Sequence, residues 1–258
     1  MARPLLYNPK ENSMIKGLYT SASGMLLQVK KQEITANNVA NAGAAGFKKD
    51  RLFTKELSRA EIKQIKTKSD WERPMATSTF VDYSPGVFDR TGNPLDLAID
   101  GDGFFTLRLE DGTTALTRAG SFEINSSGII SFPGGAILQG EGGDLQVGNG
   151  KITIAATGEV AVNDFAVGRI IPVTVDDVSK LTKAGSSLFI VPQDVQLIPV
   201  TKSVIQQGYL EAANVDIVSE MVEMIISYRT YEANANAVRT QDESLSQLFN
   251  RVGPNSRG

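Results

Sequence analysis

The side chains best placed to do chemistry in this chain are five carboxylates, Asp96, Asp100, Asp102, Glu110 and Asp111, gathered in one short stretch. Clustered carboxylates suit acid-base work or a hard cation. A calcium loop starting at Asp100 needs Gly at its sixth position and Glu at its twelfth, where Phe105 and Asp111 stand. Gly101-Asp102-Gly103 is too short for a dinucleotide loop, and no GxxxxGK[ST] occurs. A two-carboxylate glycosidase is the remaining enzymatic reading, and spacing along the chain does not give a separation in space. Histidine and cysteine are both absent. That removes thiol nucleophiles, Ser-His-Asp and Cys-His catalysis and the usual zinc and haem ligands. The expectation is a protein that is not an enzyme and holds no cofactor or metal.

The 258 residues can bury a substantial core, with 41% hydrophobic content and a net charge of -3. So small a charge predicts no nucleic-acid partner, and no apolar run approaches the roughly 18 residues of a membrane span, so no membrane insertion is expected. Residues 1–13 hold Arg3 and Lys10 without an apolar h-region, so no cleaved leader is expected; they read as a disordered extension or an early start ahead of Met14.

The elements that organise the chain are its two ends. From Ile217 an apolar seam steps by four and three through Met221, Met224, Tyr228, Tyr231, Ala235, Val238, Asp242, Leu245, Phe249 and Val252, with Asp242 the one misfit. No Gly or Pro interrupts it, so a single helix over 214–253 is predicted, capped by Asn214 or Asp216 and stopped by Gly253-Pro254. A sustained repeat of 3.5 asks for a partner helix. Ile15, Leu18, Ala22, Met25, Val29, Gln32, Ala36 and Val39 offer one over 14–41, ending where Asn41, Gly43 and Gly46 favour turns. The plainer alternative is that each stripe lies on its own domain's core.

Between the ends the period changes. Lys48 to Arg73 carries nine Lys or Arg against five Asp or Glu, punctuated by Phe53, Leu57, Ile62, Ile65 and Trp71, so 42–79 reads as a basic extended linker. It is either a solvated face or an arm against acidic neighbours. From Phe80 short strand-like runs alternate with turn signals: Asp111-Gly112, Ser126-Ser127-Gly128 and Thr157-Gly158 each separate two such runs, predicting three hairpins. The fold class expected is α+β, with N- and C-terminal helices forming a coiled-coil layer and a central all-β domain over 80–213, a barrel or irregular sandwich, and a tail over 254–258.

Four separated motifs resemble the bacterial flagellar rod and hook proteins. They are Asn37-Asn38-Val39-Ala40-Asn41 with Gly46-Phe47-Lys48; Gly92 through Asp96 and Gly101-Asp102-Gly103-Phe104-Phe105; Thr117-Arg118-Ala119-Gly120-Ser121-Phe122; and Gly208 through Asn214-Val215-Asp216, followed by Tyr228, Arg229, Tyr231 and Glu232. Together they span nearly everything from Met14 to Val252. The resemblance implies a basal-body rod subunit in the periplasm, exported without a leader by the flagellar export apparatus. Its partners would be copies of itself and other rod and hook subunits. It further implies pairing of the terminal helices as an inner layer, with the β domain outside. The interface residues expected are Leu18, Ala22, Met25, Val29, Ala36 and Val39 with Ile217, Met221, Met224, Tyr228, Tyr231, Ala235, Val238, Leu245 and Phe249. Residues 49–79 lack a Gln/Ser/Pro-rich insertion, and Asp82-Tyr83-Ser84-Pro85-Gly86 is similar to the proximal rod type, with a distal rod or hook-type subunit the alternative. A trimeric fibre, with three copies of the C-terminal helix at its centre, is the rival of another class.

Overall fold

A computed structural model describes residues 9–56, 75–148 and 150–252. The side chains of 9–16, 18, 19, 54–56, 75–77 and 248–252 lie outside this description. The expectations for Leu57, Ile62, Ile65, Trp71, the Gly253-Pro254 stop and the tail, and for the side chains of Leu18 and Phe249, therefore fall outside the described residues.

Two long helices flank a mostly β region. Helix α1 is Pro9–Ala40. It starts ahead of Met14, with Pro9 at the first helical position, where its fixed φ suits the turn and its missing N–H costs nothing. Turns over 41–46 follow it, as the Asn and Gly cluster predicts. Helix α2 is Ile217–Val252. Asp216 directly precedes it, whereas the Asn214 side chain is engaged elsewhere, as described below. The stretch read as an extended linker contains two strands, Asp50–Glu56 and Met75–Val81, which pair as a two-stranded sheet.

The chain divides into two compact units, one of Met1–Asn37, Asp50–Phe80 and Val218–Gly258, the other of Asn38–Lys49 and Val81–Ile217. In the second, each predicted hairpin is present. Phe105–Arg108 pairs with Thr114–Thr117, Glu123–Ile124 with Ile130–Ser131, and Ile152–Ile154 with Glu159–Val162, all antiparallel. Their turn glycines Gly112, Gly128 and Gly158 all take positive φ, the backbone these turns require.

The largest sheet has eight strands, running from Thr182–Ala184 through Leu188–Ile190, Thr114–Thr117, Phe105–Arg108, Ile137–Gly140 and Ile130–Ser131 to Glu123–Ile124, with Gly143–Asp144 paired to Ile137–Gly140. Successive strand residues point to opposite faces, so this sheet feeds two cores. Phe105, Leu107 and Ala115 belong to a cluster with Ile99, Ile130, Leu138, Val160 and Ile205. Phe104, Leu116 and Phe189 belong to another with Val173, Val175 and Leu181. Tyr83 closes the second cluster, its ring edge-on to Phe104 at 5.8 Å between centroids.

Candidate assembly interface

The motif residues converge inside the β-rich unit, on the joint through which both terminal segments pass. Gly46 holds φ 65° and donates its N–H to the Glu211 carbonyl at 2.6 Å. A Cβ at Gly46 would stand 2.2 Å from the Ala119 nitrogen. Gly120 presses closer still, since a Cβ there would lie 1.6 Å from the Leu97 oxygen. Backbone packed this tightly excludes any side chain. Phe47 is fully buried, with Lys183 Nζ over its ring at 4.2 Å.

Beside Phe47 sits a buried charge cluster. Lys48 Nζ donates to Glu211 Oε1 at 2.6 Å and to the Ser84 carbonyl at 2.7 Å. Arg118 Nη1 reaches Glu211 Oε2 at 3.3 Å and the Ile99 carbonyl at 3.1 Å, while its Nη2 donates to the Gly101 carbonyl at 2.7 Å. The Gly86 N–H donates to Glu211 Oε1 at 2.9 Å. Burial pulls the Lys48 ammonium and the Arg118 guanidinium below their ordinary ranges, and the Glu211 carboxylate opposes both shifts. Glu211 therefore compensates two desolvated cations at once. Arg118 also lies over the Phe104 ring at 5.5 Å.

Asn214 completes the joint. Its Oδ1 accepts from the Lys49 N–H at 2.8 Å, and its Nδ2 donates to the Asp82 carbonyl at 2.8 Å. The amide that could have capped α2 instead ties residues 49, 82 and 214 together. Gly208 takes φ 80° and donates to the Asp96 carbonyl at 2.7 Å. Asn38, Gly103, Phe104, Phe105, Phe122 and Asp96 are buried; Asn41 and Val215 are half-buried; Asn37 and Gly101 are exposed.

Three of the five carboxylates, Asp96, Asp100 and Asp111, accept hydrogen bonds from side chains or backbone. Asp96 accepts from Asn93 Nδ2 at 3.0 Å, Asp100 from Gln206 Nε2 at 3.0 Å, and Asp111 from the Thr113 N–H at 2.8 Å. That last bond holds the Asp111 carboxyl below the usual range. Among the described residues no three His, Cys, Asp or Glu side chains gather as metal ligands.

In the helical unit, α1 and α2 pair with each other. Ser227 Oγ donates to the Gln28 carbonyl at 3.1 Å and lies 3.0 Å from Gln28 Oε1, and Lys31 forms an ion pair with Glu223. A Cβ at Gly24 would stand 3.1 Å from Asn234 Nδ2, and one at Gly17 would stand 2.5 Å from Gln241 Nε2. Numbers rising on α2 as they fall on α1 make the pair antiparallel. Each glycine costs a helix about 1 kcal/mol against Ala, a cost that close approach of the opposite amide explains.

The contacts between the helices are mostly small or polar, through Gly17, Gly24, Gln28 and Lys31 on α1, where Thr35 is also buried, and Glu223, Ser227, Asn234 and Gln241 on α2, while half-covered Tyr231, Val238 and Leu245 alternate with the last three. The predicted apolar seams divide around them. Met224, Tyr231, Ala235, Val238 and Leu245 are half-covered, as are Met25 and Val39 on α1. Ala22, Val29 and Ala36 on α1, with Ile217, Met221 and Tyr228, are exposed. Val218, Val222, Ile225 and Ile226, which the seam did not include, are exposed too, Val218 at 70%. At about 100° per residue, Ile225 and Ser227 lie on nearly opposite sides of α2. An open groove is lined by Gln32, Ala36, Met224, Ile225 and Tyr228, bringing residues of both predicted seams together.

Sequence reasoning missed two features. The Lys48–Glu211–Arg118 cluster left one trace, a charged residue inside each of three otherwise apolar or glycine-rich motifs. The polar pairing face left another, a second heptad of small and amide residues beside each apolar one.

Tight turns, buried ion pairs and long helices with exposed apolar residues are the features a structural protein uses. Three family models match in order: flagella basal body rod protein over residues 18–48, flagellar hook protein FlgE/F/G D1 domain over 98–162, and flagellar basal body rod FlgEFG protein C-terminal over 206–251. The flagellar basal-body rod protein FlgF of Caulobacter vibrioides is 32% identical over 243 residues, covering 93% of this chain and 99% of that protein. FlgG of Bacillus subtilis is 31% identical over 262 residues, covering 92% and 99%. The flagellar hook-basal body complex protein FlhO of Bacillus subtilis is 27% identical over 269 residues, covering 93% and 99%. The chain belongs to the flagellar basal-body rod protein family, and its role is that of a structural subunit in the rod of the flagellum.

Proposed function

We propose that this subunit polymerises axially through the outward apolar faces of α1 and α2, forming an inner coiled-coil layer with the β-rich unit, taken as residues 80–213, outside it, and so carries torque along the rod. One observation supports this reading above the rest. The two helices spend their polar faces on each other and leave Met221, Val222, Ile225, Ile226 and Tyr228 exposed on α2, with Leu26 and Val29 on α1. A contiguous apolar face of that size on a chain of this charge calls for an occupant. A face that meets a different face of the next copy generates a helical array. The partners are copies of itself and other rod and hook subunits, and the route is delivery by the flagellar export apparatus into the periplasm.

We place the subunit in the proximal rod, on the absence of a Gln/Ser/Pro-rich insertion in 49–79 and on Asp82 to Gly86. A distal position is the second reading, favoured by the nearly equal match to FlgG of Bacillus subtilis. The test is Ile225→Asp and Met221→Asp in cells. Both variants are expected to lose swimming while their β units fold normally, and basal bodies imaged without the subunit should end short in the proximal rod. Normal swimming by both variants overturns the reading. Trimers crosslinked through α2 alone would favour the fibre architecture.

A further inference from the structure

We propose that the two glycines of α1 and the two amides of α2 act as notches and knobs that choose which faces of the helices meet within one chain. Each helix carries two competing heptad stripes. The apolar one, through Val29 on α1 and Tyr228 on α2, is the stronger hydrophobic seam, and by burial alone it would turn inward. It does so only in part: Tyr231, Val238 and Leu245 are half-covered between the polar positions of α2, whereas Val29 and Tyr228 are exposed while Gln28 meets Ser227.

What distinguishes the inward stripe is shape. Gly17 and Gly24 stand one heptad apart, facing the amides of Gln241 and Asn234, which also stand one heptad apart. Two flat polar knobs enter two positions where the opposite helix has no side chain. Gln241 Oε1 is buried with no hydrogen-bond partner among the described residues, so that oxygen contributes no bond to the contact. Lys31 with Glu223 and Gln28 with Ser227 then fasten the same face nearer the other end of the contact. A polar group in a helix seam fixes geometry at a cost in stability. Here the geometry fixed is the roll of each helix about its axis, and keeping the apolar stripe outward is of use only if that stripe meets a neighbour, so the benefit rests on the proposed assembly. The roll itself is a property of the single chain.

The native chain has no cysteine, so one engineered pair reports one face. In dilute full-length monomer, Gln28→Cys with Ser227→Cys reports the polar face and Val29→Cys with Tyr228→Cys the apolar one. The unaltered background should oxidise the first pair in preference to the second. Filling the notches with Gly17→Leu and Gly24→Leu should reverse that preference by on the order of tenfold or more. Removing the knobs with Asn234→Ala and Gln241→Ala, which adds no bulk, should move the ratio the same way with helical circular dichroism retained. Crosslinking of the polar pair at the unaltered level in both variants overturns the proposal, and so does loss of both pairs, because the notches would then permit pairing without choosing its face. Because the readout is intramolecular and made at dilution, a failure of rod assembly in cells leaves it standing, and its own failure leaves assembly untouched.

Discussion

The two units of this chain hold themselves together in opposite ways. Among the described residues, every buried hydrophobic side chain belongs to the β-rich unit, whereas the helical unit buries only two side chains, Thr35 and Ser227. The β-rich unit buries its core in two clusters with edge-on aromatic rings and a compensated charge cluster, while Val87 and Phe165 stay exposed. The helical unit meets itself through glycines, amides, an ion pair and half-covered apolar side chains, and leaves Leu26, Val29, Met221, Val222, Ile225, Ile226 and Tyr228 exposed. A helix of 36 residues without a buried apolar face draws little stability from its own chain, since most helical stability in proteins comes from packing. One unit has a buried apolar core; the other, among its described residues, has none.

The sharpest way to break that contrast is to put charge on the unfinished surface. Val222→Asp with Ile225→Asp should abolish motility outright in a swarm assay, while denaturant unfolding of the β-rich unit stays within about 0.5 kcal/mol of the parent, the usual range for exposed positions. A large drop in β-unit stability would mean that the two units are not separable in this way.

Next in size is the buried cluster. Glu211→Ala leaves Lys48 and Arg118 as uncompensated buried cations and should cost the β-rich unit about 3–5 kcal/mol, read as a lower urea midpoint. Replacing all three residues by apolar ones should remain destabilising here, because the Ser84, Ile99 and Gly101 carbonyls and the Gly86 N–H would each lose a partner. Full recovery in the triple variant would show that these backbone bonds contribute little.

Smaller effects separate the helical contacts. Ser227→Ala removes one interhelix hydrogen bond and should weaken the hairpin by about 0.5–1.5 kcal/mol with no change in the β transition. Lys31→Ala removes a partly exposed ion pair, worth less than about 1 kcal/mol and weaker still in salt. Both are read by helical ellipticity against temperature.

What could be seen in the sequence follows the same division. Hairpin turns are local, so Asp111-Gly112, Ser126-Ser127-Gly128 and Thr157-Gly158 marked their strands correctly, and the helix ends near Asn41 and Asp216 were legible for the same reason. Lys48 and Glu211 stand 163 residues apart, and no spacing rule brings them together. Asn214 has the right chemistry for a cap, but three long-range backbone bonds claim its amide. The apolar heptads divide in the structure between half-covered residues such as Tyr231 and Val238 and exposed ones such as Met221 and Tyr228. They did not say that the chain covers a different face with itself, because a seam pattern specifies a partner's shape and not its identity. The strand Asp50–Glu56 escaped notice because charged residues interrupt the alternation on which a strand is read, and its partner Met75–Val81, rich in Ala, Ser and Thr, carries little apolar alternation before Phe80.

The most direct test of the contrast is amide hydrogen exchange on the same protein as dilute monomer and within isolated basal bodies. The account predicts that amides of Phe105–Arg108 and Thr114–Thr117 are strongly protected in both, while those of α2 from Val218 to Tyr228 exchange rapidly in the monomer and slow by orders of magnitude in the assembled rod. Protection of that stretch in the monomer equal to that of the β strands, unchanged on assembly, would contradict it.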